Sequence, residues 1–226
     1  MDERTPHIDV RAVQVSDAPI LHGLDNDFET DRIYVLRVQD HLLPGAGMRP
    51  VANSASTSEE KEHAKAKEPK EPVASFALEL VETPVDPPLY RNLHEHKGAL
   101  AEIQMLVRKE DSGFTALVDG KVVGAIFMSI DEDRSVARIQ KLIIGRQYRR
   151  YKVGSLLVRC ASDWGRKQKC WALLVEAQST NFPEVQFYLR NGLEIWSICS
   201  HFYPPGAADH DVALFLGKYL LTHPEG

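Results

Sequence analysis

The chain has 226 residues, 43% of them hydrophobic and 26% charged, with a formal net charge of −5. That is enough chain and enough apolar content for one large domain or two small ones with a real core, and it excludes a disordered tail, a fibre and a basic nucleic-acid binder. Three cysteines without a C-x-x-C spacing fit neither a disulfide framework nor a structural zinc site.

The cysteines are therefore read as reduced thiols of a cytosolic protein. No signal-type apolar stretch opens the chain and no run of about 20 apolar residues occurs in it, so secretion and a membrane span are not expected. In chain order, Ile8 to Val13 alternates like a strand, and Ser16-Asp17-Ala18-Pro19 offers a cap followed by proline in a first helical turn. Arg32 to Val38 is β-branched and aromatic enough for a second strand. Seven of the 13 prolines then fall between positions 44 and 88, and from about 40 to 73 the chain is a polar, mixed-charge insert with almost nothing to bury. Phe76, Leu78 and Leu80 alternate beyond it, so the insert is expected to decorate a hairpin within a single domain spanning 1–226.

Phe114 to Val118 and Val122 to Ile130 read as two strands joined at Asp119-Gly120, residues that tolerate the positive φ angles of a type I′ turn. Val136 to Ile144 makes a third strand. Val153, Leu156, Leu157, Cys160, Ala161 and Trp164 then step by three and four, the apolar face of a helix on which Cys160 is a packed thiol. Trp171 to Val175 is a short buried strand, and Phe182 to Arg190 a helix ending at Asn191-Gly192. Two strands follow, around Ile195 to Phe202 and Val212 to Leu220. The order predicts an α/β protein with a mixed, mostly antiparallel sheet flanked by helices.

Between the third of these strands and the helix after it stands Arg149-Arg150-Tyr151-Lys152-Val153-Gly154-Ser155. A helix start offers unpaired N–H groups and the positive end of the helix dipole, a setting for a pyrophosphate. Cations there oppose the dipole, and an anionic ligand explains their presence; a solvated basic helix start is the alternative reading.

With these residues the sequence resembles the GNAT superfamily of acetyl-CoA-dependent N-acetyltransferases. Its phosphate loop, Arg/Gln-x-x-Gly-x-Gly/Ala, is matched by Arg149 and Gly154, whereas Lys152 stands where the family usually has glycine. Asp25-Asn26-Asp27-Phe28-Glu29-Thr30-Asp31, Pro84-Val85-Asp86-Pro87-Pro88-Leu89, Glu176-Ala177-Gln178-Ser179-Thr180-Asn181 and Phe187-Tyr188-Leu189-Arg190-Asn191-Gly192-Leu193 are similar to segments of the streptothricin (nourseothricin) acetyltransferase branch. The resemblance implies the GNAT fold and a cytoplasmic enzyme, monomeric or homodimeric. It would use acetyl-CoA as co-substrate and an amine as acceptor, with neither nucleic acid nor membrane as partner.

It also implies site residues. Glu176 is expected to take the ammonium proton, and Tyr188 to protonate or hydrogen-bond the CoA sulfur. Leu142, Ile143 and Ile144 would present backbone amides to the oxyanion and the pantetheine arm, Leu142 or its neighbour being the oxyanion donor. Arg149, Arg150, Tyr151, Lys152, Val153, Gly154 and Ser155 would hold the phosphates. Asn181, a helix cap, completes the cofactor set together with Tyr188. Asp27 and Asp31, with Asp86, are candidates for acceptor binding. So are Gln140 and Lys141, which stand where that branch commonly has an acidic pair and would disfavour a cationic acceptor. A GNAT fold that binds acyl-CoA as a sensor, with impaired catalysis, is the alternative. No metal site is expected, since His94-Glu95-His96 lacks a third ligand nearby.

Overall fold

A computed structural model describes residues 7–42, 74–93, 98–109, 113–204 and 211–221. Most of the polar insert, along with His94 and His96, lies outside the described residues. Nine strands and four helices are described: β1 (Ile8–Ala12), α1 (Ala18–His22), β2 (Phe28–Leu42), β3 (Ala74–Arg91), α2 (Ala99–Val107), β4 (Gly113–Val118), β5 (Lys121–Asp131), β6 (Val136–Ile144), α3 (Val153–Lys167), β7 (Ala172–Gln178), α4 (Phe182–Arg190), β8 (Glu194–Cys199) and β9 (Ala213–Tyr219).

Seven strands form one sheet in the order β1-β4-β5-β6-β7-β9-β8, and β2 and β3 pair as the expected hairpin. Every neighbouring pair in the large sheet is antiparallel except β6 and β7. By its contacts the chain divides into a main unit, residues 1–35 and 82–226, and a second unit, residues 36–81. The second unit contributes the strand residues 36–42 and 74–81. All that follows concerns the main unit.

β5 lies mid-sheet, and its run Val123–Met128 is buried without alternation, the signature of a strand covered on both faces. Successive residues of β6 show which helix covers which face. Ile143 packs with Leu21 of α1 and with Ile103 and Val107 of α2. Ile144, pointing the other way, lies under Gly154 of α3. The turn between β4 and β5 has Asp119 at φ 48° and Gly120 at φ 77°, both positive as a type I′ turn requires.

The expected cap and proline are found at α1, with Asp17 at the N-cap position and Pro19 in the first turn, although the Asp17 carboxylate reaches back to accept from the Gln14 amide at 2.8 Å instead of capping the helix. Helix α2 has no counterpart among the elements read from sequence. It starts after Gly98, at φ 105° and without a side-chain cap, and it bears the exposed Leu100 and Met105.

Candidate active site

The parallel pairing of β6 with β7 runs only from Val136↔Ala172 to Ile139↔Val175. Beyond that point β7 continues against β9 as far as Gln178, while β6 continues to Ile144 against β5 alone. The two strands part, and a wedge opens between them. A register shift opposite Phe127 and Met128 leaves Gln140 as an extra residue on β6 at the mouth of this wedge, a bulge that adds local twist.

The edge of β6 facing the wedge has no strand partner, so its amides need other acceptors. That of Ile144 finds the Asn26 side chain at 3.5 Å. Amide direction alternates along a strand, so Leu142, two residues earlier, presents its N–H to the same open edge.

Below the wedge lies a cleft of about 610 Å³. Leu142, Ile144 and Phe187 give it an apolar wall, and Arg149, Arg150 and Lys152 a basic rim. Gly154, Ser155, Asn181 and Glu184 line it near the starts of α3 and α4. Glycine is required at position 154 by packing: an added Cβ would lie 2.7 Å from Ile144 and 2.9 Å from Phe187. Lys152, at the start of α3, takes the left-handed conformation (φ 61°, ψ 12°) that the family's glycine would adopt easily. The turn thus keeps the glycine-like backbone with a lysine in place, instead of an ordinary helical or extended one.

Most of the expected cofactor residues therefore converge, although not all through their side chains. Ile143 turns into the opposite core, and Val153, the first residue of α3, is fully buried. Tyr151 is exposed, its ring tilted against that of Tyr148. Arg149 lines the cleft but spends its guanidinium on the N-terminal segment, donating to the Asp27 carbonyl at 2.8 Å and to Asn26 Oδ1 at 3.2 Å. The Arg146 amide also donates to the Asp25 carbonyl, at 2.7 Å. Residues 25–27 thereby brace the turn that carries the rim.

The acceptor candidates are more scattered. Asp27 accepts from the Tyr90 hydroxyl. Asp31 lies on a separate shallow groove with Arg32 and Glu82. Gln140 donates to Ser129 Oγ at 2.7 Å, and Lys141 pairs with Glu102 of α2 at 2.9 Å. The positive charge of Lys141 is thus met by a carboxylate.

Beside the cleft five side chains are grouped, two of which sequence reasoning missed. Tyr188 is buried on α4, one helical turn after Glu184. Burial, then the charge of Glu184, raises the Tyr188 phenol well above its usual range. Asn181 caps α4 by accepting from the Glu184 amide at 3.3 Å, and donates to Glu184 Oε2 at 2.6 Å. Burial, then repulsion from Glu176, pushes the Glu184 carboxyl up to about 7. Glu176, on β7, accepts from the hydroxyl of Tyr203, a phenol raised by burial and by that same carboxylate. Glu184 reads in sequence as an ordinary acid in a first helical turn, and Tyr203 stands 27 residues from Glu176.

A mixed sheet parted between two parallel strands, with a basic helix start beneath the parting and a carboxylate–phenol cluster beside it, defines an acyl-transfer fold. The model of the acetyltransferase (GNAT) family matches residues 78–193. The chain belongs to that family and is an acetyltransferase. It is 24% identical to a streptothricin acetyltransferase of Streptomyces lavendulae over 91% of this chain and 92% of that one. The crystal structure of a nourseothricin acetyltransferase superposes with a TM-score of 0.65 at 20% identity, covering 95% of this chain and 99% of the other. A protein of Bacillus anthracis str. Ames, named a streptothricin acetyltransferase and solved with acetyl coenzyme A, also gives 0.65, at 16% identity, over 94% and 98%. These likenesses run the length of both chains and bear out the resemblance to the streptothricin acetyltransferase branch. Among the described residues no helix is long and apolar enough to cross a membrane, and no three His, Cys, Asp or Glu side chains are grouped to hold a metal ion.

Proposed function

We propose that this chain transfers the acetyl group of acetyl-CoA to a primary amine by direct attack in a ternary complex. The amine is of the streptothricin kind, with polyamine-like molecules and lysine side chains as further candidates. The parting of β6 from β7 directly above the basic start of α3 carries the reading. A thioester in the wedge would have its carbonyl against the Leu142 amide, its pantetheine along the β6 edge and its pyrophosphate at the amides of α3 with Arg150 and Lys152 beside them. Glycine at 154 supports the reading, since it leaves Ile144 and Phe187 in place as the apolar wall.

The amine attacks the carbonyl carbon, the nitrogen loses a proton to Glu176, and the C–S bond breaks as the thiolate gains a proton from the direction of Tyr188. The Lys141–Glu102 pair removes the main objection to a cationic acceptor, because the lysine charge near the wedge is compensated. A cytoplasmic setting, where acetyl-CoA is made available, suits this reaction.

Thiol release from acetyl-CoA, measured with streptothricin and a panel of amines, tests the reading. Turnover with streptothricin is expected. Tyr188→Phe should lower kcat by about 10²–10⁴-fold while CoA affinity is retained. Binding of CoA with no amine turned over would overturn the enzymatic reading in favour of a sensor.

A further inference from the structure

Asp211 and Thr180 are 6% and 8% exposed, and Asp211 Oδ1 and Thr180 Oγ1 have no hydrogen-bond partner among the described residues. They belong to one place. The Ser179 amide donates to the Val212 carbonyl at 2.9 Å, and the Val212 amide donates to Ser179 Oγ at 3.0 Å. Thr180 follows Ser179 and Asp211 precedes Val212, so both stand on the same side of this joint, past the end of β7 and just before β9. A carboxylate withdrawn from water with an oxygen unpaired destabilises the empty protein, and it is explained by a partner that arrives with the ligand.

The register shows which way Asp211 is aimed. Glu176 stands opposite Phe215, and side chains alternate along a strand, so Asp211, Ala213 and Phe215 share the face that bears Glu176. On that face Phe202 meets Phe215 edge-on at 5.3 Å, and Tyr203 beside it donates to the Glu176 carboxylate. Asp211 and Glu184 join Glu176 in raising the Tyr203 phenol, so three carboxylates act on one hydroxyl. The cations near the wedge are already engaged: Lys141 with Glu102 at 2.9 Å, and Arg149 with Asn26 and the Asp27 carbonyl. The acceptor side of the wedge therefore carries negative charge that awaits a cation.

We propose that Asp211, with the Thr180 hydroxyl beside it, is a cation subsite that holds a second ammonium group of the acceptor while Glu176 meets the amine to be acetylated. This rests on the reading of the chain as an acetyl-CoA-dependent acetyltransferase. An ammonium has three N–H donors, so it can give one to Asp211 Oδ1 and one to Thr180 Oγ1 and satisfy both orphaned atoms. Asp211 lies four residues from the position opposite Glu176, roughly 13 Å along the strand at about 3.3 Å per residue. The subsite therefore selects acceptors with two cationic groups at about that separation, and its contact, remote from the reacting carbonyl, acts on KM and not on kcat.

The test compares diaminooctane, whose nitrogens span the subsite, with diaminobutane, which is too short, and with octylamine, which has no second charge. Thiol release is measured at saturating acetyl-CoA. Asp211→Asn keeps the shape of the side chain and removes its charge. It should raise KM for diaminooctane by about tenfold or more, leaving kcat, and KM for the other two amines, within about twofold. Thr180→Val should raise the same KM by about threefold. Calorimetry should show diaminooctane binding to the CoA-saturated wild type and lost in Asp211→Asn. Without amine that variant should unfold at the same temperature as the wild type or higher, because an unpaired buried charge has gone. Equal changes for all three amines, no change for any, or a lowered unfolding temperature overturns the proposal: Asp211 then faces water alone or serves the fold. Absence of thiol release with every amine removes the functional reading instead, and calorimetry still decides whether Asp211 holds the diamine.

Discussion

Asp17 and Glu184 are both carboxylates withdrawn from bulk water, and the fold treats them in opposite ways. Asp17, at the β1 edge of the sheet, is 2% exposed and surrounded by donors. Arg11 forks onto both of its oxygens at 2.7 and 2.8 Å, the Gln14 amide donates at 2.8 Å, and Thr115 on β4 donates at 2.9 Å. Burial alone would push its carboxyl up, but the bonds from Arg11, Gln14 and Thr115 outweigh burial and hold it below the ordinary range. Glu184 has one amide donor, and burial with the charge of Glu176 outweighs the opposing charges of Arg149 and Lys141, so it is driven the other way. At Asp17 the ionised form is what the fold is built around, whereas at Glu184 the fold tolerates the ionised form at a cost. Groups held against their solution preference concentrate where chemistry is done.

Removing Asp17 should have the largest effect on stability. Asp17→Ala strips the partner from Arg11 and leaves the Gln14 amide and Thr115 hydroxyl without their acceptor, a loss of about 3–5 kcal/mol as for other broken buried pairs. In a chain of this length that lowers Tm by roughly 10 °C, measured by thermal unfolding at neutral pH. A loss below about 1 kcal/mol would show that the donors around Asp17 are satisfied without it.

Glu184→Gln should act in the opposite direction and depend on pH. The native carboxyl keeps its proton up to about 7 where the unfolded chain has released it by about 4.5, so between those values the native state binds more protons. Wild-type stability therefore falls as pH rises through that window. The glutamine variant lacks this slope and should be the more stable protein at pH 8 by about 1–2 kcal/mol, the full shift being reduced by solvent reaching the group through the cleft. Asp17 contributes the reverse slope: its stabilisation is present above the usual carboxylate range and is lost as pH falls through its depressed value. Denaturant titrations of both variants between pH 3 and pH 8 separate the two. Parallel profiles would break the comparison.

What could be read in the sequence divides along the same line. Elements whose signals are local were legible: β6 and α4 have the bounds that periodicity and caps indicate, and the turn at Asp119-Gly120 has the backbone that its residues favour. The basic turn before α3 was legible because its cations and its glycine fall together between positions 149 and 154. Charges whose partners lie far away in sequence were not. Lys141 reads as a free cation until Glu102, 39 residues off, is brought against it, and Arg149 reads as a phosphate ligand until Asn26 is found beside it. Helix α2 escaped because its start lacks a side-chain cap and its exposed apolar residues blur the period. Glu184 escaped because nothing in its own neighbourhood of sequence tells a solvated first-turn acid from one facing Glu176.

Lys152 extends the contrast from charge to backbone. A side chain in the left-handed region costs about 1 kcal/mol relative to glycine, and the fold holds one there at the entrance to the cleft. Lys152→Gly relieves that strain but gives the unfolded chain more freedom, so a net gain of about 0.5 kcal/mol, or 1–2 °C in Tm, is expected. Lys152→Ala removes the same charge and keeps the strain, which makes the difference between the two variants a measure of the backbone alone. Both should bind acetyl-CoA several-fold more weakly at low salt, and the deficit should shrink as salt screens the remaining cations. If glycine proves no more stable than alanine, the left-handed turn is unstrained in this setting. Glu184 would then be the only one of the two cleft features held at a cost to folding.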